Sequence, residues 1–131
     1  MPLYYKPACD NYFTITPPPI PSPGNNSWLG DTFNSEAPKD KQLAAGFYKQ
    51  GSGEALVYEY TYEEMKVCME VHGKFTVSDE TGKSYDVQPG GTFYFQKGCK
   101  ITFKVEGTDE VPEEEAYALN WFCGLRAPDG A

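Results

Sequence analysis

A chain of 131 residues is the size of one domain, and folding buries roughly two-thirds of the surface of such a chain. Its 19 acidic residues outnumber its 11 basic residues, and the formal net charge of −8 repels both phosphate backbones and anionic lipids. We therefore expect neither a nucleic acid nor a membrane surface as a partner. Aromatic residues make up 15% of the chain, so we expect a core or a cavity lined with rings.

The first 42 residues differ in composition from the rest of the chain. Seven of the 11 prolines lie between Pro2 and Pro23, and such a density excludes helix and central strand. Aromatic residues such as Tyr5, Phe13 and Trp28 interleave with them, which is not typical of a disordered tail. We predict that residues 1–42 form an extended arm that lies on the body or on a partner subunit. An apolar arm needs a covering surface, so we also expect a homodimer.

Residues 43–131 are predicted to form the folded body. Seven strands are expected from short runs of β-branched and aromatic residues, at 55–62, 65–69, 73–78, 83–87, 92–96, 101–105 and 116–122. Turn residues separate several of these runs, at 79–82, 88–91 and 96–98. A spacing of about 8 to 12 residues is typical of an all-β sandwich or barrel.

The sequence contains no long apolar run and no basic-then-apolar start, so we expect an intracellular, cytoplasmic protein. The four cysteines form no CxxC pair, and a chain of this length builds a core without disulfides. They are Cys9, Cys68, Cys99 and Cys123. We expect reduced thiols, most of them buried.

Two segments of the body, residues 63–77 and 87–98, resemble the two conserved motifs of the cupin superfamily. The glutamate, glycine and Pro-Gly positions are most similar to those of ethanolamine-utilisation EutQ-like cupins, and the resemblance covers roughly residues 43–125. It implies an all-β, single-domain cupin, a jelly-roll type antiparallel β-barrel with a ligand site in its interior. Two residues inserted before Gly73, Val71 and His72, indicate a bulge or a longer turn.

The resemblance also implies a metal site, from which this chain departs. Aligned on Glu64 and Gly98, the three histidine positions of metal-binding cupins fall on Tyr58, Tyr60 and Ile101. Transition metals need several N, O or S donors at one point, and two neutral phenols and an alkyl chain replace three imidazoles here. We therefore expect no tightly held metal and no other cofactor.

Strand alternation places Glu64, Lys66 and Cys68 on one face, and the resemblance makes that face the barrel interior. Tyr58 and Tyr60 share a face of the preceding strand. A carboxylate, an ammonium and phenols in an apolar cavity are suited to proton transfer and to binding a substrate oxygen. The predicted catalytic residues are Glu64, Lys66, Tyr58 and Tyr60.

The remaining walls are predicted from other strands. Ile101, Phe103 and Val105 are expected opposite Glu64, and Trp121 is expected from the last strand. For residues 92–95 either Phe93 and Phe95 or Tyr94 face inward. The predicted substrate contacts are Cys68, Phe103, Ile101, Tyr94 and Trp121.

These residues leave two functional classes open. In the first, the protein is a metal-independent isomerase, dehydratase or decarboxylase acting on a small carbonyl compound in the barrel. In the second, it is a non-catalytic ligand-binding or scaffolding cupin, in which Glu64 and Lys66 are a structural ion pair. The partner in either case is a small molecule.

Overall fold

The computed structural model describes residues 3–128. Residues 1–2 of the predicted arm, which include Pro2, and residues 129–131 of the predicted body lie outside the described residues. Nine β-strands and three short 3-10 turns occur in the described residues. The strands are β1 (Ser27–Asn34), β2 (Leu43–Gly51), β3 (Leu56–Glu59), β4 (Glu64–His72), β5 (Lys74–Asp79), β6 (Ser84–Asp86), β7 (Thr92–Phe95), β8 (Lys100–Glu106) and β9 (Tyr117–Leu125). The 3-10 turns are Ala8–Asp10, Lys39–Lys41 and Glu113–Glu115.

The strands form two antiparallel sheets that enclose one core. A five-stranded sheet has the order β1-β2-β9-β4-β7, and a four-stranded sheet has the order β3-β8-β5-β6. The all-β prediction is confirmed. No helix in residues 3–128 is long and apolar enough to cross a membrane.

Alternation along each strand decides which side chains enter the core. On β8, Ile101, Phe103 and Val105 are all buried, as predicted for the wall opposite Glu64. On β4, Glu64 and Lys66 are buried while the residues between and beside them are not. The buried rings of both sheets pack on one another, so the expectation of a ring-lined interior is confirmed.

The predicted turns are found where glycines reverse the chain. Gly82 (φ 95°) follows the Asp79 carboxylate, which accepts the Thr81 N–H at 2.9 Å and closes the β5–β6 hairpin. Gly90 (φ 93°) lies in the turn that leads to β7. A left-handed backbone favours glycine at both positions.

A bulge does occur in β4, slightly upstream of the predicted position. The register between β4 and β9 shifts between Cys68 and Glu70, so Met69 is the extra residue. The bulge ends the strict alternation that buries Glu64, Lys66 and Cys68, and Val71 and His72 then pair regularly with β9.

Two strands of the five-stranded sheet, β1 and β2, differ from the prediction. Residues 27–34 were assigned to the arm, yet they form β1, the edge strand paired with β2. Residues 43–51 were not among the predicted strands, although β2 lies between β1 and β9 in the sheet. Two alanines and two glycines weaken the strand pattern in β2, and its burial comes from neighbours distant in sequence.

Two parts of the remaining arm contact the body. Pro19 bridges to Trp28, and hydrogen bonds join Ile20 N–H to Ser27 C=O at 3.0 Å and Leu29 N–H to Pro18 C=O at 2.9 Å. We call residues 18–21 the strap. Further upstream, the Phe13 ring packs on Phe47 with ring centroids 6.2 Å apart. A contact between the arm and a partner subunit stays a prediction.

Candidate functional site

A cavity of about 320 Å³ opens between the two sheets beneath the strap. Aliphatic side chains from the strap and from β1 and β3 cover it, and rings with one carboxylate and one ammonium form its walls. The lining residues are Ile20, Pro21, Leu29, Tyr48, Leu56, Tyr58, Tyr60, Tyr62, Glu64, Lys66 and Phe103. All four predicted catalytic residues lie in this one cavity.

Two polar side chains contact a single oxygen of the Glu64 carboxylate in the cavity wall. The Tyr60 hydroxyl donates to Glu64 Oε2 at 2.6 Å, and Lys66 Nζ lies 3.3 Å from the same oxygen. The side chains of Lys66 and Glu64 are 3% and 2% exposed. Burying both charges costs several kcal/mol in solvation, and the short mutual contacts offset part of that cost.

The surroundings of the Lys66 ammonium are otherwise aromatic. Its Nζ lies 4.4 Å from the ring centroid of Tyr48 and 5.1 Å from that of Phe103. The rings of Phe122 and Phe95 follow at 5.7 and 6.0 Å. Ring faces attract a cation, so they replace some of the solvation that burial removes.

These environments shift the proton affinities of the cavity groups. Burial lowers the pKa of Lys66, and the Glu64 charge opposes that shift only in part. Burial followed by the Glu64 charge raises the pKa of Tyr60 well above its ordinary value, so this phenol keeps its proton. The same two causes raise the pKa of Tyr62. The cavity therefore holds phenols that donate and an amine that gives up its proton more readily than a surface lysine.

The other tyrosines extend this network. Tyr58 Oη and Tyr62 Oη are 3.4 Å apart, and the Tyr58 and Tyr60 rings meet edge to face with centroids 4.7 Å apart. Tyr62 also carries the Arg126 guanidinium, whose Cζ lies 5.6 Å from the ring centroid. Arg126 is itself paired with Asp31 at 2.9 Å.

Sequence reasoning missed Tyr48 and the strap residues Ile20 and Pro21. Tyr48 donates from its hydroxyl to Gln50 Oε1, which also accepts from Ser27 Oγ at 2.7 Å, so the Tyr48 ring is held against Lys66. The period-2 placement of Tyr48 and Gln50 was the available signal for β2. Nothing in the local sequence of the proline-rich strap predicts that it covers a cavity.

The donor set does not fit a tightly held transition metal. In residues 3–128 no group of three or more His, Cys, Asp or Glu side chains is placed to hold a metal ion. Glu64, the carboxylate at the expected position, already has the Lys66 ammonium at 3.3 Å, and a cation there repels a metal ion. The expectation of a metal-free site stays a prediction.

The predicted substrate contacts are only partly brought together. Phe103 lines the cavity. Cys68 and Ile101 are buried in the same core but do not line the cavity. Burial raises the pKa of the Cys68 thiol to about 11, which keeps it protonated.

The predictions that Trp121 and Tyr94 line the cavity are wrong. On β9 the inward residues are Ala118, Asn120 and Phe122, and Trp121 points to the outer face, where it meets Phe47. Tyr94 is 52% exposed and donates to the Glu63 carboxylate outside the barrel. A shift of one residue reverses the face of a strand side chain, and an isolated strand does not indicate which face is inward.

A second, larger depression of about 620 Å³ lies near the β5–β6 turn and β7. Two of the predicted substrate contacts, Ile101 and Tyr94, line it. None of its ionisable lining groups is buried. It therefore offers no group whose proton affinity is set by the protein interior, and we assign the candidate site to the cavity beneath the strap.

Comparison with known proteins agrees with this fold. The EutQ protein of Clostridium difficile superimposes with a TM-score of 0.61 and 18% identity, over 84% of this chain and 77% of that one. A protein of unknown function from Rhizobium leguminosarum gives a TM-score of 0.65 and 16% identity, over 97% and 100% of the two chains. The DMSP lyase DddQ of Ruegeria pomeroyi DSS-3 gives 0.60 and 13%, over 82% and 50%. At such identities the likeness shows the fold alone.

Comparison of the sequence itself identifies the family. No curated protein matches the chain. The family model described as EutQ-like cupin domain matches residues 40–112, which carry Glu64, Lys66 and most of the cavity wall. The match covers more than half of the 131 residues and confirms the resemblance of the two motifs. The chain therefore belongs to the family of EutQ-like cupin domains.

Proposed function

We propose that this cupin is a metal-independent enzyme that moves a proton on a small carbonyl compound bound beneath the strap. The observation that carries the proposal is the convergence of Tyr60 Oη at 2.6 Å and Lys66 Nζ at 3.3 Å on Glu64 Oε2, in the wall of a cavity of about 320 Å³. A buried acid–base cluster in an apolar pocket is the usual setting of general acid–base catalysis.

Each residue has a separate role in this proposal. Among the contacts of residues 3–128 both polar partners of Glu64 bind Oε2, which leaves Oε1 to take a proton from a carbon beside the substrate carbonyl. Lys66 has three N–H donors and directs one of them at Glu64, so the others stabilise the negative charge that develops on the carbonyl oxygen. Tyr60 holds Glu64 in place, and Tyr58 and Tyr62 close the polar side of the cavity.

The shape and polarity of the cavity support a small and mostly apolar substrate. Ile20, Pro21, Leu29 and Leu56 line the cavity together with the charged pair, so a bound molecule meets both aliphatic groups and Lys66. A cavity of about 320 Å³ is at the small end of ligand sites. A DMSP lyase is among the proteins that share the fold, and small-molecule chemistry in a cupin barrel is consistent with the proposal.

One observation favours the second candidate, a non-catalytic ligand-binding protein. Tyr60, Glu64 and Lys66 already satisfy one another, as a structural network does. In that case the same cavity binds a small molecule without changing it. The two candidates therefore differ in turnover and not in where the ligand lies.

The test compares two adjacent glutamates. Glu63 accepts a tyrosine hydroxyl, from Tyr94, as Glu64 does from Tyr60, but Glu63 is outside the cavity lining. Protein shown by elemental analysis to be metal-free is mixed with small ketones, aldehydes and 2-oxo acids, and conversion is followed by NMR. We expect Glu64→Gln to lose at least ~10²-fold in turnover and Glu63→Gln to match the wild type. Unchanged turnover in Glu64→Gln, or ligand binding without turnover, would reject the catalytic role.

A further inference from the structure

Lys66 differs from the other lysines of the described chain. It is the lysine of residues 3–128 that is buried, with a side chain 3% exposed. The same side chain lines a cavity large enough for a small molecule, so the amine is hidden from bulk water but open to a bound ligand. A structural ion pair alone does not require a cavity beside it.

The surroundings of Lys66 favour its nitrogen both as a neutral amine and as a cation. Burial, together with the Arg126 charge, lowers the pKa of the ammonium against the opposing attraction of Glu64, which makes the neutral amine easier to reach. The Tyr48 ring at 4.4 Å and the Phe103 ring at 5.1 Å stabilise a cation at the same position. A protonated imine is such a cation, and its charge would lie where the ammonium charge lies now.

We infer that Lys66 captures an aldehyde or ketone as an imine inside the cavity, which makes Lys66 a nucleophile and carbonyl compounds the substrate class. The inference rests on the proposed function for its substrate, and it replaces the hydrogen bond from Lys66 to the carbonyl oxygen by a covalent bond from Lys66 to the carbonyl carbon. The neighbouring acid and base groups needed for that step are in place, since Glu64 Oε2 lies 3.3 Å from Lys66 Nζ and 2.6 Å from Tyr60 Oη.

The step balances without an oxidant, a reductant or a cofactor. Lys66 first passes its extra proton to Glu64, and the nitrogen lone pair then forms a bond to the carbonyl carbon as the C=O π electrons move to oxygen. That oxygen takes the proton from Glu64, and the nitrogen returns a proton to the Glu64 carboxylate. A second protonation of the oxygen by Glu64 releases one water as the C=N bond forms. The resulting iminium acidifies the neighbouring C–H, which Glu64 is placed to deprotonate.

Reductive trapping tests the inference on the full chain. Propanal and sodium cyanoborohydride at neutral pH convert an imine into a stable propyl-lysine, which peptide mapping by mass spectrometry assigns to one residue. Lys49 is a matched internal control, because its Nζ also lies over rings, 4.5 Å from Tyr117, but outside the cavity. We expect Lys66 to be labelled at least ~10-fold faster than Lys49, because Glu64 and Tyr60 lie beside Lys66 and supply the proton transfers that imine formation needs.

Variants separate this inference from the proposed function. Lys66→Arg should remove the cavity label, and Lys49→Arg should leave it unchanged. Labelling of the exposed lysines at or above the rate of Lys66 in the wild type overturns the imine, even if Glu64-dependent turnover is found. Labelling of Lys66 without Glu64-dependent turnover supports the imine and rejects the proposed catalytic role. The wild-type map decides the question even if Lys66→Arg does not fold.

Discussion

The buried pair of Glu64 and Lys66 allows a quantitative prediction. When one partner is removed, the other remains as a buried, unpaired charge unless it changes its protonation. In Glu64→Gln the unpaired Lys66 can become neutral, and releasing a proton at pH 7 from a lysine whose unfolded pKa is about 10.4 costs at most about 4.6 kcal/mol. Breaking a buried pair costs about 3 to 5 kcal/mol in other proteins. We therefore expect Glu64→Gln to lower the free energy of unfolding by about 3 to 4.6 kcal/mol.

The complementary variant removes the other partner. Lys66→Met leaves the buried Glu64 carboxylate without its cation, so we again expect a loss of about 3 to 5 kcal/mol. The double variant, Glu64→Gln with Lys66→Met, removes both charges and should lie within about 1 kcal/mol of the wild type or be more stable. The two single losses should therefore not add.

Urea unfolding of the four proteins at pH 7 measures this coupling. The loss in Glu64→Gln should also shrink as the pH rises toward about 10, because the unfolded lysine then holds fewer protons and the folded, neutral Lys66 holds none. Single losses that sum to the double-variant loss within about 0.5 kcal/mol would refute the buried, coupled pair.

Three further results are expected. Burial raises the pKa values of Tyr60 and Tyr62, so above about pH 10 the native state keeps protons that the unfolded state loses. The urea midpoint should therefore fall as the pH rises above about 10, and a midpoint that does not change would contradict the burial of these two tyrosines. Iodoacetamide should label Cys9 first and Cys68 last in native protein, because Cys9 is exposed while Cys68 is buried and keeps its proton. Peptide mapping measures the two rates, and equal rates would place Cys68 at the surface. Residues 3–5 are 66 to 90% exposed, and we expect them to contact a second copy of the chain. Light scattering should then give twice the monomer mass for the full chain and the monomer mass after these residues are removed. A monomeric full chain would mean that the arm contacts only the barrel of its own chain.

The body of the fold could be predicted because its signals are local. Alternating runs around Phe103 and Val105, and turns such as the one that ends at Gly82, depend only on neighbours in sequence. The motif glutamate, Glu64, fixed the inward face of β4, and Lys66 followed two residues later on the same face. These residues and their partner Tyr60 are the polar centre of the cavity.

The rest of the site depends on contacts between distant parts of the chain. Trp121 and Phe122 are adjacent and both aromatic, so nothing in β9 alone indicates that Phe122 faces inward. Tyr48 was missed because β2 becomes a strand between β1 and β9 and not through its own composition. The strap residues Ile20 and Pro21 have no periodicity, and only the packed structure shows that they cover the cavity.

Isotope exchange directly detects whether Glu64 moves a proton on a carbonyl compound in the cavity. In D₂O, proton NMR follows the loss of hydrogen from the carbon beside the carbonyl of butanone, propanal and 2-oxobutanoate. We expect the wild type and Glu63→Gln to accelerate exchange on at least one of them, and Glu64→Gln to lose at least ~10²-fold of that acceleration. Exchange at the protein-free rate with every compound, or equal rates in Glu64→Gln and the wild type, would contradict it.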